Sequence, residues 1–197
     1  MAYITCDLAI SVDGYSSGVN QRLARPFGDG PVDELTKWMF ATPGENEEEI
    51  AGIVAADAFI MGRNMFSPGR GDWDPEWTGW WDDPPYHKPV FVLTHHERDD
   101  LPMAGGTTFH FVTGGVDEAL KRAIEASGDG TIAVAGGATT VNQFLRAGLI
   151  DELRLHIAPV TVGAGARLFD GVPPLNLERI SSRAASLVTH VTYTIKR

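Results

Sequence analysis

Residues 131–145 read TIAVAGGATTVNQFL. An apolar run from Ile132 to Ala135 ends in Gly136-Gly137, and a new pattern starts at once with Ala138, Thr139 and Thr140 and carries Val141, Phe144 and Leu145. A short apolar run closed by glycine predicts a buried strand, and the three- and four-residue spacing after it predicts a helix. Strand, tight turn and helix form the repeating unit of an α/β sheet. The glycines permit a tight turn and close approach of a ligand to the backbone. The free N–H groups and positive dipole end of the helix suit a phosphate or pyrophosphate, and the threonine hydroxyls add hydrogen bonds. The bland alternative is a connection that uses glycine only for geometry. The stretch is neither G-x-G-x-x-G nor a phosphate loop with Lys-Ser/Thr.

The pattern extends in both directions. Ile4, Cys6, Leu8 and Ile10 alternate with Tyr3, Thr5, Asp7 and Ala9, a strand closed by Asp13-Gly14. Residues 15–30 read as a long polar loop. Pro31 opens a helix through Leu35, Trp38 and Met39, and a second helix starts near Asn46, with Glu47, Glu48 and Glu49 at the end its dipole favours. Ala58–Met61 and Val90–Leu93 are wholly apolar strands of the kind buried on both faces. Thr107–Val112 and Thr131–Ala135 are further strands, with a helix between them that stops at Gly128. Leu153, Leu155 and Ile157 alternate, as do Leu187, Thr189, Val191, Tyr193 and Ile195. Strands separated by helices pair in parallel with right-handed crossovers, and a strand-only tail forms an antiparallel edge. The expected fold is one α/β domain over residues 1–197: a mixed, mostly parallel sheet with helices on both faces. Residues 67–89 interrupt it. They hold four of the five tryptophans and a run of prolines and aspartates, too aromatic for a disordered linker. Packing over the sheet or at a subunit contact is the favoured role, ahead of a lid that stacks on a flat substrate.

Three strand ends carry polar chemistry. Besides the glycine turn, IMGRNMF (60–66) places Arg63 after Gly62, and VLTHHER (92–98) places Thr94, His95, His96 and Arg98 just past a buried strand. Ligands of α/β sheets bind at the carboxyl ends of the parallel strands. A nucleotide with a 2′-phosphate would reward Arg63, Thr94, His95 and Arg98 there. The alternative for each piece is a solvated loop. Adjacent His95 and His96 point apart in an extended chain, and no H-E-x-x-H spacing exists, so no metal site is expected. There is no G-x-S-x-G elbow, and Cys6 has no visible partner for nucleophilic chemistry.

Composition narrows the class. Of 197 residues, 43% are hydrophobic and 21% charged, enough for a sizeable core. Sixteen Lys and Arg stand against 26 Asp and Glu, a formal charge of −10 that argues against nucleic acid or an anionic membrane as partner. The single cysteine excludes an intrachain disulfide. No apolar run approaches ~20 residues, and MAYITCDLAISVDG reads as a strand rather than a leader, so a cytoplasmic protein is expected.

The segments ISVDG (10–14), MGR (61–63), VLTHH (92–96), VAGGATTVNQFLRAGLIDEL (134–153) and PVTVGAGARLF (159–169) resemble, in order, the dihydrofolate-reductase-fold proteins of the riboflavin-biosynthesis reductase group. More closely, they look like the stand-alone "dihydrofolate reductase family" proteins of bacteria. The resemblance covers nearly the whole chain. It implies NADPH bound across the sheet edge. Gly62, Arg63 and Asn64, with the threonine-histidine turn, match residues on the adenosine 2′-phosphate side. Gly136, Gly137, Ala138, Thr139 and Thr140 match the pyrophosphate turn. The loop with Val162, Gly163, Gly165, Leu168 and Phe169 matches one that closes part of the nicotinamide and substrate region. Asp13 matches an acid near the site. A folate-type acid on the first helix would be Asp33 or Glu34. The Trp-rich segment belongs to neither enzyme's core pattern.

The reading is an NADPH-dependent reductase that passes a hydride to a C=N or C=O carbon of a small heterocycle, pyrimidine- or pterin-like or a ribosylamino-pyrimidine. Asp13 would orient substrate or relay a proton through water. The rival is a non-catalytic NADPH-binding or ligand-sensing protein on the same fold. The apolar C-terminal strands and the resemblance both point to a homodimer.

Overall fold

The computed structural model describes residues 2–196. In chain order it has β1 (Tyr3–Ser11), β2 (Tyr15–Ser17), a 3-10 turn (Val32–Leu35), α1 (Lys37–Ala41), α2 (Glu47–Ile53), β3 (Ala58–Gly62) and α3 (Arg63–Phe66). Then come β4 (Pro89–Leu93), β5 (Leu101–Pro102), β6 (Thr108–Val112), α4 (Gly115–Ser127), β7 (Thr131–Gly136) and α5 (Ala138–Arg146). The chain ends with β8 (Glu152–Ala158), β9 (Ala166–Arg167), β10 (Asn176–Ala185) and β11 (Val188–Lys196). Nine strands form one sheet in the order β10-β11-β8-β1-β7-β3-β4-β6-β5. From β8 to β6 every pairing is parallel, and β11 and β10 add the antiparallel edge. The fold is therefore the expected mixed α/β sheet.

Alternation along β1 sorts its side chains. Ile4, Cys6, Leu8 and Ile10 join Ile60, Ile132, Val134 and Leu155 in a core under α4 and α5, which supply Ala119, Ala123, Val141, Phe144 and Leu145. Phe144 is fully buried, so truncation to alanine there should cost about 3–5 kcal/mol. The opposite face is covered in two halves. Over β3, β4 and β6, Phe59, Met61, Val90, Val92, Phe109 and Phe111 pack with Phe66, Tyr86, Trp73 and Trp77. The 67–89 segment is thus a packing layer in place of a helix. Three of its indoles cap backbone carbonyls: Trp73 Nε1 to His96 (2.8 Å), Trp77 Nε1 to Phe66 (3.0 Å) and Trp80 Nε1 to Met65 (2.8 Å). Each keeps a half-buried N–H satisfied while the ring fills space.

Over β1 and β8 the cover is the 32–53 segment. The expected helix after Pro31 divides into a 3-10 turn and α1, with Val32, Leu35 and Trp38 turned inward. The 15–30 loop contains β2, paired with β9, a strand too short to show a period. Under Trp38 lies a buried polar chain that sequence reasoning did not find. His190 Nε2 is 2.9 Å from Asn46 Oδ1, and His190 Nδ1 is 2.8 Å from His156 Nδ1. Asn46 Nδ2 donates to the carbonyls of Trp38 and Thr42, so its oxygen must face His190. His190 therefore carries its proton on Nε2 and accepts from His156 Nδ1–H. Beyond it, His156 Nε2 lies 3.5 Å from Asp7 Oδ1, and Arg154 reaches Asp7 Oδ2 at 3.2 Å. The rings of both histidines pack on Trp38 at centroid distances of 4.9 and 5.0 Å.

Burial, with the His156 neighbour, lowers the His190 pKa from 6.5 to about 4. Glu49 and Arg183 face the same ring. The folded value lies below the unfolded one, so between these values the unfolded chain takes up a proton that the native chain refuses. Stability is then unaffected above pH 6.5 and lost as pH falls toward 4. Urea denaturation should show a loss of about 2 kcal/mol between pH 7 and pH 5. His190→Gln, which does not titrate, should flatten that window; a variant with the wild-type slope would assign the effect elsewhere.

Candidate functional site

The parallel strands all end on one sheet edge. Register sets Met61 beside Gly136, Gly62 beside Leu93, and Leu93 beside Val112, with Ser11 beside Ala158 on the other flank. The glycine turn, the MGR end and the THH end therefore share the edge as expected. Gly136 has φ +117°, and its peptide with Gly137 is cis. Gly137 has ordinary φ −69°, and a Cβ there would meet nothing closer than Ser16 Oγ at 3.7 Å. A Cβ on Gly62 would collide with Thr140 Oγ1. The absence of a side chain lets β3 and α5 close together.

At the start of α5 the Ala138 N–H donates to Ser16 Oγ (3.1 Å), while Thr140 and Val141 donate to the Gly137 carbonyl. Ser16, which sequence reasoning passed over, thus braces the turn from β2. Ala138 and Thr140 are buried, whereas Thr139 faces outward. Thr94 is buried, and its hydroxyl is held by the His96 backbone (3.1 Å). His95 is exposed on the rim, and His96 turns to Asp72 (3.0 Å). Among the described residues no group of His, Cys, Asp or Glu converges as metal ligands.

The two arginines differ. Arg63 sits over Trp73, its guanidinium carbon 4.1 Å from the ring centroid, and its buried Nε has no hydrogen-bond partner. Arg98 instead turns into the Trp-rich segment, with Nη2 donating to the Trp77 carbonyl at 2.6 Å and its guanidinium over Phe111. One of its two terminal nitrogens ties down the segment, and the other, the buried Nη1, has no hydrogen-bond partner. Asn64 is likewise committed, donating to Gln21 Oε1 (3.2 Å) and accepting from Arg70 (2.7 Å). It holds the 18–30 loop across the edge.

The acids also depart from expectation. Asp13 Oδ1 accepts from Ser11 Oγ (2.5 Å) and the Val162 N–H (3.0 Å), and Oδ2 accepts from the Gly163 N–H (2.8 Å). The Ser11 bond and those two N–H groups pull its carboxyl from 3.8 down to about 2. Ionised near neutral pH, Asp13 clamps the 162–163 loop to β1. Asp33 and Glu34 are exposed on the outer side of the 3-10 turn, Glu34 pairing with Lys37 (3.1 Å), so neither points at the sheet. In the loop beyond, a Cβ on Gly165 (φ +141°) would collide with the Ser17 carbonyl. Leu168 is corrected from loop lining to core, 3% exposed, with its N–H on the Gly14 carbonyl. Phe169 stays exposed, its N–H held by Asn142 Oδ1 at 2.8 Å. A separate cavity of about 170 Å3, lined by Asp7, Arg154, His156 and His190, lies at mid-sheet, away from the strand ends. Its only sequence signal was Asp7 inside an apolar alternation.

The family model described as the RibD C-terminal domain matches residues 2–191. The chain is 28% identical over 198 residues to the uncharacterized protein YyaP of Bacillus subtilis (strain 168), covering 96% of this chain and 93% of that one. The crystal structure of a putative riboflavin biosynthesis protein from Shewanella sp. PV-4 superposes with a TM-score of 0.67 at 24% identity, over 100% of both chains. A dihydrofolate reductase from Enterococcus faecalis, complexed with NADP(H) and RAB-propyl, gives 0.58 at 14% identity, over 99% of this chain and 97% of that one. These two likenesses show the fold.

The clamp makes Asp13→Asn informative. Asparagine keeps the turn but offers one acceptor oxygen for what the carboxylate shares between two. Amide exchange at Val162 and Gly163 should quicken roughly tenfold while the sheet stays protected. Because the folded pKa is lowered, the clamp is intact above pH 3.8 and fails only as pH falls through about 2. Unchanged exchange in the variant would show that the loop is held by other contacts.

Proposed function

The chain belongs to the RibD C-terminal domain family, and on that premise we propose that it is an NADPH-dependent reductase of a small heterocyclic substrate. Family and fold neighbours point to a reductase of the riboflavin pathway type. The observation that carries the cofactor reading is Arg63: a half-buried cation with an unpartnered Nε, one strand away from an open glycine turn. A buried cation without a counter-charge is costly unless a ligand supplies one. The residues present fit a dinucleotide with a 2′-phosphate. Arg63 would take that phosphate, and the Gly136–Thr140 turn would take the pyrophosphate.

When bound, the nicotinamide supplies a hydride to a C=N or C=O carbon. This chain's own residues do the rest. Ser16 and the 162–169 loop shape the nicotinamide end, and Asp13 keeps that loop closed against water. The proton that must follow the hydride comes through solvent, since Asp13 is committed and Asp33 and Glu34 face outward. The same observation favours a second reading, in which the protein binds NADPH and senses a ligand without turnover. Incubation with pterin, pyrimidine and quinone panels separates them: NADPH oxidation supports the reductase, and tight binding without oxidation supports the sensor.

Calorimetric titration should show tighter binding of NADPH than of NADH, with Arg63→Ala losing about 1.5–3 kcal/mol of the difference. Gly137→Val should abolish binding of both and leave the fold intact, since its Cβ makes only an ordinary contact, with Ser16 Oγ at 3.7 Å. Equal affinities in the wild type would sink the 2′-phosphate assignment.

We propose further that two copies associate through β10. This ten-residue strand pairs only with β11 among the described residues, and Ile180 on it is 58% exposed. A long unpaired edge is a template for another strand. Light scattering at micromolar concentration should give twice the 21.3 kDa chain mass, and Ile180→Lys should shift the protein toward the monomer. A wild-type mass of 21.3 kDa would refute the dimer.

A further inference from the structure

Of the two arginines at the strand ends, Arg98 is tied through Nη2 and keeps one buried, unpartnered nitrogen, Nη1, whereas the Arg63 side chain, with its own unpartnered Nε, is placed over Trp73. The guanidinium carbon lies over the ring, 4.1 Å from its centroid, so the aromatic face attracts the cation without accepting a hydrogen bond from it. Its N–H donors lie in the plane and stay available. Among the described residues no carboxylate stands within ion-pair distance of Arg63; Asp72 and Arg70 act on it only from further off. Arg98, by contrast, is tied to the Trp77 carbonyl.

Trp73 is itself fixed on several sides. Its Nε1 donates to the His96 carbonyl at 2.8 Å, and its ring meets Phe111 at 5.0 Å and Phe66 at 5.7 Å. The His96 backbone is in turn held by the Thr94 hydroxyl. The indole therefore bridges the end of β4 to the residue that follows β3. It comes from the 67–89 segment, whose other indoles only pack and cap.

We infer that Trp73 is a positioning residue that holds Arg63 as a flat fork for the 2′-phosphate and thereby sets the preference for NADPH over NADH. The inference rests on the cofactor reading above. A free arginine samples many rotamers and must be ordered when an anion binds; one already stacked loses less freedom. NADH carries a hydroxyl where NADPH carries the phosphate, so it gains nothing from the fork. Trp73 should thus act on the ratio of the two affinities and leave NADH binding alone.

The test is calorimetric titration of the full chain with NADPH and NADH in four variants. Trp73→Leu should raise the NADPH Kd about tenfold and change the NADH Kd less than twofold. Trp73→Phe, which keeps a stacking face, should recover most of the loss. Arg63→Lys, which keeps the charge but not the planar fork, should resemble Trp73→Leu and serves if that variant folds poorly. In an Arg63→Ala background Trp73→Leu should have no further effect on the ratio. A selective wild type with an equally selective, folded Trp73→Leu or Arg63→Lys overturns this inference alone. A loss that persists without Arg63 overturns it as well. A wild type indifferent to the 2′-phosphate overturns the cofactor reading and this inference with it.

Discussion

A parallel strand has no solvent side. β1, β7, β3 and β4 lie side by side in mid-sheet, so each must be covered on both faces. The two longest helices, α4 and α5, lie on the same face. The second face is left to segments with little regular structure, and their peculiarities follow from that duty. Residues 67–89 cover strands with broad rings because irregular backbone cannot present a continuous apolar stripe. Residues 32–53 cover β1 and β8 with Trp38 above a buried polar chain linked by His156, His190 and Asn46.

What was legible in the sequence was what is local. Alternation along β1, the apolar runs of β3 and β4 and the helical spacing of α5 each report their own burial, and order along the chain implied the parallel centre and antiparallel edge. Clustering of the glycine turn with the MGR and THH ends followed from topology alone. What was not legible depends on pairs far apart in the chain. Trp73 and His96 are 23 residues apart, His156 and His190 34, and Asp13 and Gly163 150. ISVDG announces an acid at a strand end, but only the return of the 159–169 loop reveals that its oxygens are already taken. Asn64 and Arg98 were visible as polar residues at strand ends; their commitment to Gln21, Arg70 and Trp77 required the loops to be in place.

The net charge of −10 sharpens the same point. In an acidic chain a free cation is readily neutralised by the nearest carboxylate, as Arg183 is by Glu49 and Arg154 by Asp7. An anion site survives only where something other than a carboxylate holds the cation. An aromatic face serves, because it attracts the guanidinium without occupying its donors. The tryptophans near Arg63 and Arg98 therefore do two things at once: they close the second face of the sheet, and they keep positive charge uncancelled at its edge.

Carboxylates at the other end of the site follow a complementary logic. Asp13 is surrounded by donors, and each donor lowers its pKa and removes a lone pair from other use. A carboxylate held ionised by donors is a stronger clamp and a weaker base, since the two roles demand opposite environments. Asp33 and Glu34 are on the solvent side of their turn because Val32 and Leu35 take the inward positions. Asp13 thus serves the loop beside the strand ends, seating residues 162 and 163 on β1.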